Sequence, residues 1–184
     1  ANHLKRNIKF EKNYLKRIEI LTALLLTGLV FQEYEENYEI SIKELERFVK
    51  VFFDQDGFPL SRSPSDLVFI SKYLILCQRC IKDAQKYLPE FLETIIKKNL
   101  FCIKKILTPD DRMPLFNGSI EEDLKKFIEN VNEIEIEKND KKDVVGGIQI
   151  LKYKSCQIFF DIGEPPDKSL SKSYQSGPLS FEYH

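Results

Sequence analysis

The residues with chemical promise sit in short irregular stretches between helical patterns. The first is Phe53-Asp54-Gln55-Asp56-Gly57-Phe58-Pro59-Leu60-Ser61-Arg62-Ser63-Pro64-Ser65-Asp66. It places a cation that cannot lose its charge, Arg62, between two glycine/proline breaks and immediately before a helix start. Asp56-Gly57 predicts a tight turn, and Pro59 holds the following residues extended. Ser63 reads as the cap, Pro64 as the first helical residue, and Asp66 as the third-position acid of a capping box. A second stretch, Thr108 to Gly118, carries Asn117 before a glycine. A third, Gly163 to Gly177, carries Tyr174 and Gln175. Loops held rigidly between regular elements are where scaffolds usually present function. Cys77-x-x-Cys80 has the spacing of a redox or zinc pair. It lies inside a helical pattern with no second such pair and no nearby histidine, which fits two small core residues on one face.

The rest of the chain must position these groups. At 184 residues, with 42% apolar and 31% charged residues, it suits a soluble globular protein of one domain or slightly more. Twenty-eight basic residues against 29 acidic ones lack the basic excess of a nucleic-acid binder, so no nucleic-acid partner is expected. The longest apolar run, Ile20 to Phe31, is too short for a membrane span and predicts a buried helix. The chain starts at Ala1 with Met113 as its only methionine, and we expect a fragment or processed product.

Periodicity predicts a helix from Asn13 to Phe31 with Ile18, Leu21, Leu25 and Leu29 on one face, and with Gly28 admitting a close neighbour. Glu33 to Asn37 reads as a polar turn. Ser41-x-x-Glu44 then caps a helix turning Ile42, Leu45, Val49 and Phe52 inward. A helix from Pro64 to about Gln85 would bury Phe69, Tyr73, Cys77, Cys80 and Ala84. Pro89 opens another, with Phe91, Ile95, Ile96, Ile103 and Ile106 inside. Ser119-x-x-Glu122 caps a short one with Leu124, Phe127, Ile128 and Val131 inward. Repeated amphipathic helix pairs are the grammar of a helical toroid or solenoid. Past Asn132 a charged run reads as a linker, and beyond Gly146-Gly147 the period becomes two. Ile148 to Tyr153 and Cys156 to Ile162 form a β-hairpin turning near Lys154-Ser155, and Leu179 to Tyr183 starts another strand. The domain reading is 1–131 helical, 132–146 linker, and 147–184 the start of a β domain.

Three motifs in this order resemble the heparinase II/III-like proteins. Asp56-Gly57-Phe58-Pro59-Leu60-Ser61-Arg62-Ser63-Pro64 is similar to their Asp-Gly-Gly-His-x-x-Arg-Ser-Pro loop. Leu115-Phe116-Asn117-Gly118 is similar to a Leu-Phe-Asn-Gly loop. Phe160-Asp161-Ile162-Gly163-Glu164-Pro165-Pro166, then Ser176-Gly177-Pro178-Leu179-Ser180-Phe181-Glu182, resembles their entry into the β domain. The resemblance implies an α+β fold: helical hairpins of an (α/α) toroid followed by the first strands of an antiparallel β-sandwich. It also implies a polysaccharide lyase acting on an acidic, uronate-containing polymer by β-elimination. A base takes the C5 proton, an acid protonates the leaving glycosidic oxygen, and the uronate carboxylate is neutralised. It points to a bacterial protein, periplasmic or cytoplasmic.

Carried over residue by residue, the expected acid/base tyrosine falls on Asp66, and the histidine expected before the β domain falls on Gln175. The toroid asparagine falls near Leu15 and Lys16, with Asn13 close but offset. These departures leave two readings open: a lyase with a rearranged acid/base set, and a non-catalytic carbohydrate-binding or envelope-associated protein. Asp66 and Gln175 are the catalytic candidates; Arg62, Asn117 and Tyr174 are the substrate-binding candidates. Arg62 could neutralise a uronate or hold its loop by an ion pair to Asp54 or Asp56. Asn117 could bond a sugar or supply a left-handed turn. Glu182 could serve chemistry or a buried hydrogen bond. With only His3 and His184 in the chain, no metal cluster and no cofactor is expected.

Overall fold

The computed structural model describes residues 5, 8, 10–134, 143–154, 156–170 and 180–184. Among these, five α-helices precede a four-stranded antiparallel sheet. The helices are α1 (Tyr14–Val30), α2 (Glu35–Phe52), α3 (Pro64–Asp83), α4 (Glu90–Ile106) and α5 (Lys125–Val131). The strands are β1 (Val144–Val145), β2 (Ile148–Tyr153), β3 (Cys156–Asp161) and β4 (Phe181–Tyr183). The chain forms two compact units, residues 1–51 with 69–96 and residues 52–68 with 97–184. This division does not follow the helix-to-strand switch, because the segments flanking α3 and α4 associate with the strands.

In the first unit, Asn13 caps α1 by accepting from the amides of Leu15 and Lys16 at 2.9 and 3.2 Å. Its side chain is thereby committed to the helix end. Ile18, Leu21, Leu24, Leu25, Leu45, Ile70, Leu74 and Ile81 are fully buried or nearly so. Gly28 makes the expected close approach: a Cβ there would lie 2.3 Å from the main-chain nitrogen of Tyr38. No described helix is long and apolar enough to cross a membrane.

Three local expectations are corrected. The second helix begins at Glu35, after a 3-10 turn at Gln32–Tyr34, and not at Ser41. Glu35 and Glu36 complement the positive end of the helix dipole. Ser41 therefore lies inside the helix, its hydroxyl donating to the carbonyl of Tyr38 at 2.7 Å. On α3 the buried positions are Leu67, Ile70, Leu74, Cys77 and Ile81, whereas Ala84 is exposed and Phe69 and Tyr73 are half-buried. The aromatic spacing pointed to a neighbouring stripe. Ser119 does not cap α5, whose first turn follows Leu124 without a side-chain cap. The Ser119 hydroxyl instead accepts from the amide of Ser65 at 3.0 Å.

In the second unit the strand order is β1-β2-β3-β4. Ile148 faces Asp161, Ile150 faces Phe159 and Tyr153 faces Cys156, so the hairpin register is the one the alternation predicts. Val144 and Val145, within the stretch read as linker, pair with β2 across Gly146-Gly147. Ile148, Ile150, Gln157, Phe159 and Asp161 form the buried face. Leu151, Tyr153, Phe181 and Tyr183 stand exposed on the opposite side. The strand start expected at Leu179 and the linker residues 135–142 lie outside the described residues.

Candidate functional site

The segment joining α2 to α3 folds into a small hairpin-like loop. Phe53 bridges Pro59, and the main-chain amides of Asp54 and Leu60 donate to the carbonyls of Phe58 and Phe52. Asp54 organises the tip, its Oδ1 accepting from the amides of Asp56 and Phe58 at 2.9 and 2.8 Å. Burial pushes the Asp54 carboxyl above its ordinary range, and those two amide bonds oppose the shift. The turn closes through Gly57, at φ +84° and packed so closely that a Cβ would lie 2.5 Å from Lys98 Cβ. Phe58 is fully buried.

Arg62 follows in the left-handed region, at φ +59°. That conformation costs a non-glycine residue about 1 kcal/mol, and here three groups of contacts hold it. The Arg62 amide donates to Pro59 O at 2.9 Å. Its carbonyl accepts from Asn117 Nδ2 at 2.8 Å. Its guanidinium enters the sheet: Nε donates to Gly146 O at 3.2 Å, Nη1 to Glu164 O at 2.9 Å, and Nη2 to the carboxylate of Asp161. The Asp161 side chain is completely buried and that of Arg62 is 10% exposed. Glycines make this possible. A Cβ at Gly163 would lie 2.5 Å from Arg62 Cζ, and one at Gly147 2.7 Å from Nη2. The guanidinium thus packs where any side chain at Gly147 or Gly163 would collide with it, and it pairs with a buried carboxylate.

Arg62 is ion-paired with Asp161, not with Asp54 or Asp56. Asn117 takes the left-handed turn, at φ +52°, and also uses its amide to hold Arg62, so both are drawn into one cluster. Asp66 is buried in the first turn of α3, where its Oδ2 accepts from the hydroxyl of Ser61 at 2.7 Å. Its amide donates to Ser63 Oγ at 3.4 Å, the capping bond expected of Ser63. Tyr174 and Gln175 lie outside the described residues. Glu182 accepts from the amide of Leu115 at 2.6 Å and meets His184 Nε2 at 2.6 Å. Cys77 and Cys80 are free thiols. Among the described residues no cluster of three or more potential ligands could hold a metal ion.

A cleft of about 520 Å³ opens beside Arg62. Its charged lining is Asp54, Asp56, Glu164 and Asp167 against Arg62 alone. Since Arg62 is matched by Asp161, the wall carries a surplus of negative charge. Gly146, Gly147, Gly163, Pro165 and Pro166 supply much of the remaining wall. Sequence reasoning did not identify Asp161 as the partner of Arg62. Its signal was the glycines around it, which mark where backbone must come close to something flat.

The fold is thus a helical array leading into an antiparallel sheet, with an arginine from the helical part seated in the strands. No family model matches the sequence, and no curated protein matches it. Solved structures do match the fold. A crystal structure of heparinase III is similar over 94% of this chain and 33% of that one, at TM-score 0.75 and 15% identity. A second heparinase III gene product matches over 91% and 30%, at TM-score 0.73 and 15% identity. The same product with methylated lysines matches over 91% and 30%, at 0.75 and 16%. The chain spans about a third of the length of the heparinase III chains it matches.

Proposed function

We propose that this chain is the helical-to-strand portion of a polysaccharide lyase of the heparinase II/III kind. In that reading α1 to α5 are hairpins of an (α/α) toroid over 1–131, the linker expected over 132–146 ends before Val144, and the strands from β1 onward begin an antiparallel β-sandwich. The substrate class is a uronate-containing acidic polysaccharide, cleaved by β-elimination. The observation that carries the reading is the fold likeness to heparinase III over more than nine-tenths of the chain. The role left to Arg62 and Asn117 is to fix the seam between loop and strands, which sets the wall a sugar would meet. Gln175 remains a proposed catalytic group and Tyr174 a proposed substrate-binding one.

One specific observation favours the second reading, a non-catalytic carbohydrate-binding protein on the same scaffold. The groups that would supply elimination chemistry are engaged internally. Arg62 already faces a carboxylate, Asp66 accepts from Ser61, and the adjoining cleft is negatively charged. A polyanion entering that cleft would be repelled rather than neutralised.

The two readings separate in one assay. The full-length protein is incubated with heparan sulfate, alginate and bacterial capsular polymers while the absorbance of unsaturated uronate is followed. Growth of that absorbance supports the lyase. Binding by calorimetry without absorbance supports the second reading, and neither signal overturns both.

A further inference from the structure

We propose that Asn117-Gly118 is a latent deamidation site, which the fold holds shut and whose product no longer fits the seam around Arg62. Glycine is the most permissive residue to follow an asparagine in this chemistry, because it has no side chain to hinder attack by its own nitrogen. Asn117 is the one asparagine of the chain that glycine follows. The main-chain nitrogen of Gly118 attacks Cγ of Asn117. The new N–Cγ bond closes a cyclic imide, the Cγ–Nδ2 bond breaks, and the amide group leaves as ammonia with the proton of the attacking nitrogen. A water then opens the imide. Hydrolysis at Cγ restores the ordinary main chain with an aspartate. Hydrolysis at the main-chain carbonyl gives isoaspartate, whose backbone runs through the former side chain. No oxidant or further reactant is needed.

The folded turn opposes the first step. Asn117 and Gly118 are the central residues of a turn closed by the Ser119 amide, which donates to Phe116 O at 2.9 Å. Both have positive φ, +52° and +76°, the pattern of a type I′ turn. The leaving nitrogen, Nδ2, donates to Arg62 O at 2.8 Å, and Asn117 is only 1% exposed, so water reaches it poorly. The turn is pinned on both sides. Before it, Leu115 N donates to Glu182 at 2.6 Å. After it, the Ser119 hydroxyl accepts from Ser65 N at 3.0 Å, and Ile120 N donates to the Ser65 hydroxyl at 2.9 Å. Closing the imide turns the Asn117 side chain away from Arg62 and rotates the main chain into Gly118, so the reaction proceeds through local opening. Once formed, either product bars reclosure. Aspartate has no donor for Arg62 O and sets a buried negative charge against that carbonyl. Isoaspartate lengthens the backbone within the turn. Opening of the seam that Asn117 closes thereby becomes irreversible.

The test follows deamidation of the intact protein by peptide-mapping mass spectrometry at mildly alkaline pH, in native buffer and in guanidinium chloride. Asn117 should deamidate readily in the unfolded chain and at least about tenfold more slowly in the folded one, since only the open fraction reacts. Ser65→Ala removes the acceptor for Ile120 N. It should raise the native rate severalfold and leave the unfolded rate unchanged. If that variant does not fold, Glu182→Ala, which removes the acceptor for Leu115 N, serves in its place. Asn117→Asp reproduces the ordinary product. It should unfold at lower denaturant than Asn117→Gly, which loses the same bond without adding a charge. Equal rates in the folded and unfolded chains, no reaction at Asn117 in either, a native rate indifferent to the pinning variant, or an Asn117→Asp protein as stable as Asn117→Gly would overturn the proposal.

Discussion

Arg62 and Asp161 stand 99 residues apart in the chain and form a buried ion pair, one on the loop before α3 and the other at the end of β3. Removing one member of such a pair strands a charge in a poorly solvated site and typically costs about 3–5 kcal/mol. Asp161→Ala and Arg62→Ala should each lower unfolding free energy by about that amount in urea titrations, and the double variant should lose much less than the sum. Arg62→Lys should not rescue, because one ammonium cannot reach Gly146 O, Glu164 O and Asp161 from a single point. Additive losses would show that the pair does not couple.

The glycines flanking the guanidinium have no spare volume. Gly163→Ala puts a methyl 2.5 Å from Arg62 Cζ, and we expect a loss of about 1–3 kcal/mol, the usual cost of overpacking. In the Arg62→Ala background the same substitution should cost distinctly less. Denaturant midpoints of the four proteins check this.

Asn117 combines a left-handed backbone with a side-chain bond to Arg62 O. Asn117→Gly keeps the first and loses the second, for an expected cost of about 1 kcal/mol. Asn117→Ala loses both and should cost about 1 kcal/mol more. Reversal of this order in thermal or urea unfolding would separate the backbone from the bond as the cause.

Cys77 is buried against Thr22, and its thiol is pushed up to about 11, chiefly by burial. At pH 8 in native conditions it should resist alkylation, whereas Cys156 and Cys80, both partly accessible, react. The sign follows from the raised value. The folded state favours the neutral thiol, so this stabilising contribution is intact below the ordinary thiol pKa of 9.0 and is lost as pH rises towards 11. Mass-spectrometric labelling with and without denaturant measures it.

Much of the positional skeleton was legible in the residues. Pro64, Asp56-Gly57 and Asn117-Gly118 announced their helix start and turns because those features depend on a few neighbours, whereas the capping role of Asn13 was not read from the sequence. The alternation of Ile148 and Ile150 and the turn expected near Lys154-Ser155 announced the hairpin, and a slip of one residue would turn those side chains to the other face. The same local grammar failed at Ser41 and Ser119. A capping signature records what a serine can do, and it does not exclude an earlier helix start at Glu35 or a better partner such as the Ser65 amide.

The sequence by itself determined the order of helices and then strands and the place of the β2–β3 hairpin, that Gly28 admits a neighbour, and that Arg62 would sit in a loop with a permanent charge. Only the tertiary structure decided what that charge faces. Four acidic residues line the cleft beside Arg62, yet its partner is Asp161. The physical reason is that pairing across 99 residues is set by sheet register, by the space at Gly147 and Gly163, and by the exclusion of water, none of which a local pattern encodes.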